Sequence, residues 1–356
     1  MIYFQDNNQF YKAYISGKEI YVSPDEYKKL KTTLEKIFSS QTSFLAISYD
    51  FAKSLLLNES SNKKGLYLAP VQMSLMQENP WLVFPVPKQC KPELSKKEYV
   101  QNIVSIQRRM EAGDYYLCNY TFRLFAKAIG KKKILFPKTD AGSFFSLPDA
   151  QVLSLSPEVF LRIQENQIHT YPIKGSLSAD YNSNILSNSM KEKAEQTMVT
   201  DLMRNDLGSI CQYGSVHVPI FCKIKKHHGL WQMYSKITGT LQNPFTLGSL
   251  LKLLPAGSIT GTPKHEVVKQ MDKLERSNRD FYSGIAGFYN PLSRSGVFSI
   301  LIRTFIWKKN RIIFGTGSGI TLDSDPAKEY EECLLKFESA YSRLTQEYKT
   351  KDSPFL

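Results

Sequence analysis

The feature that most narrows the fold is a pair of alternating runs separated by almost nothing. "EVFLRI" (158–163) and "QIHTYPIK" (167–174) each alternate apolar and polar residues, and only residues 164–166 join them. A period of two marks half-buried strands. Strands this close in sequence pair antiparallel, because a parallel crossover needs a dozen residues or more. The same pattern predicts strands in "FLAISYDF" (44–51), "YYLCNYTFRLFAKA" (115–128) and "AQVLSLS" (150–156), and a hairpin in "GVFSILIRTFIW–KKN–RIIFGTG" (296–317).

Helix starts are well marked. Ser23-Pro24-Asp25-Glu26 is a capping box with proline at the first helical position, opening a helix to about Phe38. Ser95-Lys96-Lys97-Glu98 opens another that should stop at Gly113. A long helix is expected over 188–206, closing at Gly208, and residues 263–275 carry apolar side chains at 267, 268, 271 and 274, a helical spacing. A last helix starts at Asp325-Pro326, cap then N1 proline. Helices arrive between groups of strands, not after each strand. That is an α+β pattern, not a doubly wound parallel sheet. There is no internal repeat. "NESSNKKG" (58–65) is the best candidate for a flexible loop, and it does not separate two cores.

The 356 residues fit one large domain or two small ones. No apolar run approaches the ~20 residues needed to span a bilayer, and "MIYFQDNNQFYKAY" has no basic segment followed by an apolar one, so no membrane partner and no signal peptide are expected. The five cysteines are odd in number and scattered, with no C-x-x-C pair, which argues for reduced thiols and a cytoplasmic protein. A net charge of +13 is compatible with nucleic-acid binding. The lysines, however, are spread as pairs and triplets such as "KKK" 131–133, with no basic tail or helix. A solvated lysine-rich surface is the better reading, and no nucleic acid is expected as a partner. A basic field also gathers small anionic substrates.

Within "YPIKGSLSAD" (171–180), Lys174 stands at a predicted strand end against Gly175 and Ser176. It is either a solvated lysine or one held in a cleft as base or nucleophile. Glu192 and Glu195 lie three apart on one helix face that continues through Val199 and Leu202, so these acids point inward. Glu329 and Glu332 repeat the spacing on the last helix, in line with Cys333 and Phe337. Two such pairs could hold one hard divalent cation, Mg2+ with waters completing the shell, or could simply favour the helix dipole. Arg303 shares a predicted strand face with Leu301, Phe305 and Trp307 and therefore needs an anion, from the protein or from a substrate. "AGSITGTPK" (256–264) and "GTGSGI" (315–320) match neither phosphate-loop pattern, yet each could offer backbone N–H groups to an anion.

Taken together, "MVTDLMRNDLG", "PAGSITGTPK", "IRT" and "GSGITLDSDPAKEYEECLLK" resemble, in this order and at these distances, the chorismate-using enzymes: anthranilate synthase and aminodeoxychorismate synthase components I, isochorismate synthase and salicylate synthase. The resemblance runs from Ser95 to the end of the last helix. It implies a large two-sheet antiparallel sandwich with outer helices, a shortened N-terminal part (1–90) integrated into the same fold, a chorismate-binding region (91–346) and a tail (347–356). It implies Mg2+ ligation by Glu195 and Glu332, with Glu192 and Glu329 acting directly or through water. Arg303 and Tyr282 would hold the enolpyruvyl carboxylate. The amides of Gly317, Ser318 and Gly319 would meet the ring carboxylate, and Gly175, Ser176 and Thr260 would line the pocket.

The resemblance also gives Lys174 a role. Anthranilate synthases typically read Pro-Ile-Ala-Gly where aminodeoxychorismate synthases, and residues 172–175 here, read Pro-Ile-Lys-Gly. It implies that neutral Lys174 attacks ring C2 as the C4 hydroxyl leaves, that Glu158 in "LSPEVF" protonates that hydroxyl, and that ammonia then enters at C4 and expels the lysine. The expected reaction is amination of chorismate to 4-amino-4-deoxychorismate, towards p-aminobenzoate and folate. With no room for a glutaminase or lyase domain, ammonia is expected from a glutamine amidotransferase subunit or free ammonium. Two positions depart from the family. Leu117 stands where isochorismate and salicylate synthases place a water-activating lysine, and Gln232 stands where a histidine is usual. The first disfavours water as nucleophile, and the second fits retention of the enolpyruvyl group. The Leu-Leu-Glu-Ser segment that binds tryptophan in anthranilate synthases is not found. The rival readings are anthranilate synthase component I and a basic nucleic-acid-binding protein.

Overall fold

The two capping boxes form as the sequence predicts: the hydroxyls of Ser23 and Ser95 accept the N–H groups of Glu26 and Glu98, whose carboxylates accept the serine N–H groups in return. The computed structural model describes residues 2–6, 9–227, 230–309 and 311–345, and the tail expected at 347–356 lies outside the described residues. From the N-terminus come β1 (Ile2–Asp6), β2 (Gln9–Ile15), β3 (Ile20–Val22), α1 (Pro24–Ser40), β4 (Ser43–Ile47), α2 (Tyr49–Leu56), β5 (Leu66–Met76), β6 (Trp81–Pro92) and α3 (Lys96–Glu111). Then follow β7 (Leu117–Leu135), β8 (Ser143–Ser146), β9 (Gln151–Ser154), β10 (Val159–Gln164), β11 (Gln167–Thr170), β12 (Ile173–Ser178), α4 (Asn184–Asn188), α5 (Met190–Gly208), β13 (His217–His227) and β14 (Leu230–Thr240). The last third holds α6 (Leu247–Lys252), a 3-10 turn (Gly257–Ile259), β15 (Gly261–Thr262), α7 (Lys264–Leu274), β16 (Ile285–Asn290), β17 (Ser295–Ile300), β18 (Thr304–Lys308), β19 (Arg311–Ile320) and α8 (Pro326–Thr345).

Every described pairing is antiparallel. One sheet runs β6–β7–β19–β18–β9–β8–β1–β2, with β15 beside the start of β7. The other runs β3–β5–β4–β16–β17–β10–β11–β14–β13, with β12 also on β14. The far end of β5 pairs with β2, so this strand serves both sheets. The sheets face each other across an apolar layer where Phe4 of β1 meets Phe288 of β16 edge-on at 5.2 Å, and Phe44 of β4 packs on Phe145 of β8 at 5.3 Å. Helices α1, α2, α5 and α6 cover the outside of the second sheet, and α3, α7 and α8 the outside of the first. The architecture is the α+β sandwich with outer helices that the sequence implied. Among the described residues no helix is long and apolar enough to cross a membrane.

Four expected strands end elsewhere than predicted. "FLAISYDF" stops being strand at Ile47, because the Ser48 hydroxyl accepts the Phe51 N–H and caps α2. The strand expected over 115–128 starts at Leu117 and runs to Leu135. "QIHTYPIK" breaks after Thr170, where Pro172 has no N–H for the ladder, and its second half continues through Lys174 to Ser178. The expected hairpin forms at its tip, where β18 pairs with β19 from Phe305↔Phe314 to Lys308↔Arg311, but its first arm is two strands in different sheets: the chain leaves β17 at Ile300, turns at Arg303 with φ 50°, and enters β18. Arg303 therefore does not share a strand face with Leu301, Phe305 and Trp307. The chain changes sheet in the same way between β9 and β10. These two crossings lie against each other, with Leu155 N–H donating to Arg303 C=O (3.1 Å) and Ile300 N–H to Glu158 C=O (3.2 Å).

Candidate active site

Helix α5 is the organising element. Ser189 caps it by accepting the Glu192 N–H at 3.3 Å, and its inner face buries Glu195, Gln196, Val199, Leu202 and Met203. Its far end is tied down by Asp206, which receives Lys264 Nζ at 2.7 Å on both oxygens and so fixes the 256–264 loop to the helix. Glu192 and Glu195 thus start on a rigid base and point at β12 and β19.

On β12 the register with β14 shifts between Lys174 and Ser176, leaving Gly175 as an extra residue with φ +69°. The positive φ favours glycine there, and a Cβ on Gly175 would sit 2.7 Å from Glu192 Oε2 and displace that carboxylate. The side chain of Ser176 lies outside what the structure describes. A Cβ on Gly319 would lie 3.5 Å from Lys174 Nζ, 3.7 Å from Leu117 Cδ1 and 3.9 Å from Glu195 Oε2. The lysine amine, Leu117, one acid of α5 and the glycine strand therefore converge on one point.

Helix α8, capped by Asp325 through the N–H groups of Ala327 and Lys328, brings the second acid pair. Lys191 Nζ bridges the helices, 3.3 Å from Glu329 Oε1 and 3.9 Å from Glu195 Oε1. Lys336 Nζ pairs with Glu332 Oε1 (2.9 Å) and donates to Gly317 C=O (2.9 Å). Beyond Phe314, β19 keeps β7 on one edge but has left β18 on the other, so alternate backbone groups of 316–320 have no strand partner there among the described residues. Ser318 turns its hydroxyl outward to Tyr99 (2.9 Å), which leaves only its backbone for the site.

The charges explain one another. Burial pushes the Glu195 carboxyl up to about 7; nearby Lys174 pulls it down and Glu192 pushes it further up. Burial also raises Glu192, against the ammonium groups of Lys191 and Lys174. Partial desolvation pushes Glu332 up, but Lys336, Lys191 and Lys174 outweigh that and hold this 56% exposed side chain below its ordinary value. Burial pulls Lys191 down, and Glu329 and Glu195 reverse that. Glu158 immediately precedes β10 at the sheet crossing and is 8% exposed; burial raises its carboxyl, while the charge of Lys174 and the Ser258 hydroxyl lower it. Ser258 Oγ faces Glu158 without closing a well-formed hydrogen bond, and is itself buried without a partner among the described residues.

The remaining expected residues divide. Tyr282 is buried, with Gly315 against its ring and the Arg123 guanidinium 5.2 Å from its centroid; burial pushes its hydroxyl up to about 12, against the pull of Lys336. Thr260 spends its hydroxyl on the carbonyls of Ala256 (3.0 Å) and Gly257 (3.2 Å), so it shapes the loop. Arg303 sits at the crossing, where burial and Arg343 lower it against the pull of Asp140, and its guanidinium makes no hydrogen bond with the described residues. Gln232, buried on β14, lies opposite Ser176. Sequence reasoning missed Lys336, Lys191, Gln196 and Ser258. The i,i+4 spacings of Glu332 with Lys336 and of Lys191 with Glu195 were usable signals, Ser258 lies in the 256–264 loop already singled out, and nothing local marked Gln196.

Among the described residues, no group of three or more His, Cys, Asp or Glu converges tightly enough to hold a metal. The donors nevertheless suit a hard cation: oxygen ligands from two facing helices, with the Glu192 and Glu195 carboxyls raised by burial and by neighbouring acids. The Lys191 ammonium occupies the place between Glu195 and Glu329 that such a cation would take. Chemically, the cleft offers an amine, a buried acid whose carboxyl is raised by burial, and positive groups with backbone amides for an anion.

A family model described as chorismate binding enzyme matches residues 24–342. The chain is 33% identical over 257 residues to the aminodeoxychorismate synthase component 1 of Salmonella typhimurium, covering 68% of this chain and 56% of that protein. It is 30% identical over 297 residues to the Escherichia coli protein of the same name, covering 80% and 64%. With the anthranilate synthase component 1 of Lactococcus lactis it shares 35% over 203 residues, covering 54% and 44%. The chain thus spans less than two thirds of these relatives' lengths. Among solved structures, anthranilate synthase component I from Streptococcus pneumoniae superposes with a TM-score of 0.75 at 20% identity, covering 96% of this chain and 89% of that one. The menaquinone-specific isochorismate synthase of Escherichia coli gives 0.73 at 15%, covering 97% and 88%. At these identities the two structures establish the fold alone.

Proposed function

Because this chain belongs to the chorismate-binding enzyme family, we propose that it is an amine-forming member, the chorismate-aminating component of an aminodeoxychorismate synthase. The observation that carries the reading is Lys174, whose amine lies at the meeting point of Glu195, Gly319 and Leu117. Lysine there provides a nucleophile, and leucine at 117 provides nothing to activate water. Residues 91–346 are read as the chorismate-binding region.

The chemistry follows from the side chains. Lys174 Nζ forms a bond to ring C2, both ring double bonds shift one place, and the C4–O bond breaks. Glu158, whose carboxyl burial raises, gives its proton to the departing hydroxyl, which leaves as water. Ammonia then bonds to C4, both double bonds shift back, the C2–N bond to Lys174 breaks, and the new ammonium returns a proton to Glu158. The sum is chorismate plus ammonia giving 4-amino-4-deoxychorismate plus water, with the enolpyruvyl ether untouched. One difficult displacement becomes two. Lys336, the open-edge amides of 317–319, Tyr282 and Arg303 are the groups available to the two carboxylates of the substrate. Mg2+ held by Glu192, Glu195, Glu329 and Glu332 would supply positive charge to the ring carboxylate. The name component 1 borne by the relatives supports a second subunit, a glutamine amidotransferase, as the source of ammonia.

A second reading, anthranilate synthase component I, is favoured by the 35% identity to the Lactococcus lactis protein. Incubating the chain with chorismate, Mg2+ and ammonium, and identifying the product by mass spectrometry, separates the two. A product that retains the enolpyruvyl group, and yields p-aminobenzoate only when a lyase is added, is expected. Anthranilate would refute the proposal.

A further inference from the structure

Lys174 is the last residue of β12 before a break in its register with β14. β12 and β14 pair at Lys174↔Met233 and next at Ser176↔Gln232, so the ladder is out of register immediately after the lysine. Pro172, two residues before it, has no N–H to donate. The residue whose amine must be aimed thus lies between a bulge and a missing donor.

A side chain from outside the sheet takes over. Gln196 on α5 has no exposed surface. Its Oε1 accepts the Lys174 N–H at 2.9 Å, and its Nε2 donates to the Pro172 carbonyl at 3.1 Å. It therefore grips the backbone on both sides of Ile173, as a partner strand would. The amide is itself locked, because Nε2 also donates to Ser235 Oγ at 2.9 Å and to Thr200 Oγ1 at 3.3 Å, and Thr200 Oγ1 in turn bonds Ser235 Oγ at 3.0 Å. This network fixes the amide's orientation: the reverse placement would set an NH2 group against the Lys174 N–H. Buried networks in which every member is satisfied specify one geometry. Gln196 also follows Glu195 directly, so the helix that presents the acids is the one that grips the lysine strand.

We propose that Gln196 is a positioning residue that aims the Lys174 amine and ties its place to that of Glu192 and Glu195; this rests on the reading of Lys174 as the nucleophile. Misplacing a reacting atom by ~1 Å costs about 10²-fold in rate. The test uses the full chain with Gln196→Met, which keeps the bulk and removes the hydrogen bonds, beside Lys174→Ala. Steady-state kinetics with chorismate, Mg2+ and ammonium are measured with the fraction of Lys174 found in covalent adduct. For Gln196→Met, kcat should fall about 10²-fold, KM for chorismate should stay within about twofold, and the adduct should fall with kcat. A wild-type kcat, or a KM that rises as far as kcat falls, overturns the positioning role while leaving Lys174→Ala inactive. Full turnover by Lys174→Ala shows instead that the reading of Lys174 has failed. Should Gln196→Met not fold, Ser235→Ala frees the amide from its shortest donor contact. A several-fold lower kcat at unchanged KM then supports the proposal, and a wild-type kcat overturns it.

Discussion

Glu195 is held at a cost, and replacing it by glutamine should reveal how much. Burial and the neighbouring Glu192 push its carboxyl from 4.5 to about 7, even with Lys174 pulling the other way. The folded chain therefore binds a proton here more tightly than the unfolded chain. The stability linked to that proton is fully present below 4.5 and is lost as the pH rises through 7. At 1.36 kcal/mol per unit, the loss is ~3 kcal/mol. Glutamine mimics the protonated acid at every pH and avoids the loss. With EDTA present, wild type and Glu195→Gln should unfold in urea at similar free energies at pH 4.5. At pH 8 the variant should be the more stable by ~1–3 kcal/mol. Added Mg2+ should stabilise the wild type and leave the variant unmoved, since only a group that binds the folded state shifts the balance. A variant equally or less stable than wild type at pH 8 would refute the argument that burial, not pairing, governs this carboxyl.

Three further outcomes follow from the same geometry. Because proton and cation compete for Glu195, the Mg2+ concentration for half activity should rise as pH falls below about 7, approaching tenfold per unit; a flat Mg2+ requirement between pH 6 and 8 would remove Glu195 from the cation site. Gly175→Ala forces a side chain into φ +69° and to within 2.7 Å of Glu192 Oε2, so it should lower stability by roughly 1–2 kcal/mol and abolish most turnover; a stable, active variant in urea unfolding and product assays would show that the bulge relaxes freely. Glu158→Gln keeps the shape but has no proton to give, and should lower kcat about 10²–10⁴-fold with chorismate binding by calorimetry unchanged; near-normal kcat would assign the acid elsewhere.

How much of this was legible depended on whether the signal was local. The capping boxes at Ser23 and Ser95 and the Asp325-Pro326 start announced their helices because a cap is written in four adjacent residues. The inward acids Glu195 and Glu329 were legible from helical periodicity, and both are buried. Periodicity failed at the sheet crossings. "GVFSILIRTFIW" reads as one strand because its residues face apolar layers on either side of the change of sheet, and nothing in it marks the left-handed turn at Arg303. Ser48 was hidden similarly: a serine amid strand-forming residues becomes a cap only when the next turn forms. Gln196 and Lys191 also reach partners 22 and 138 residues away, Lys174 and Glu329, and no reading along the chain could join those pairs. The role of Lys174 came from resemblance, and its surroundings came from the fold.

The most direct test of the account looks at Lys174 itself. Wild-type chain mixed with chorismate and Mg2+ without ammonia, quenched in acid, digested and analysed by mass spectrometry should yield a peptide containing Lys174 heavier by chorismate less one water. Ammonium added before the quench should discharge it. Product formation at the normal rate with no adduct on Lys174, or the same product from Lys174→Ala, would contradict the claim that this lysine carries the chemistry.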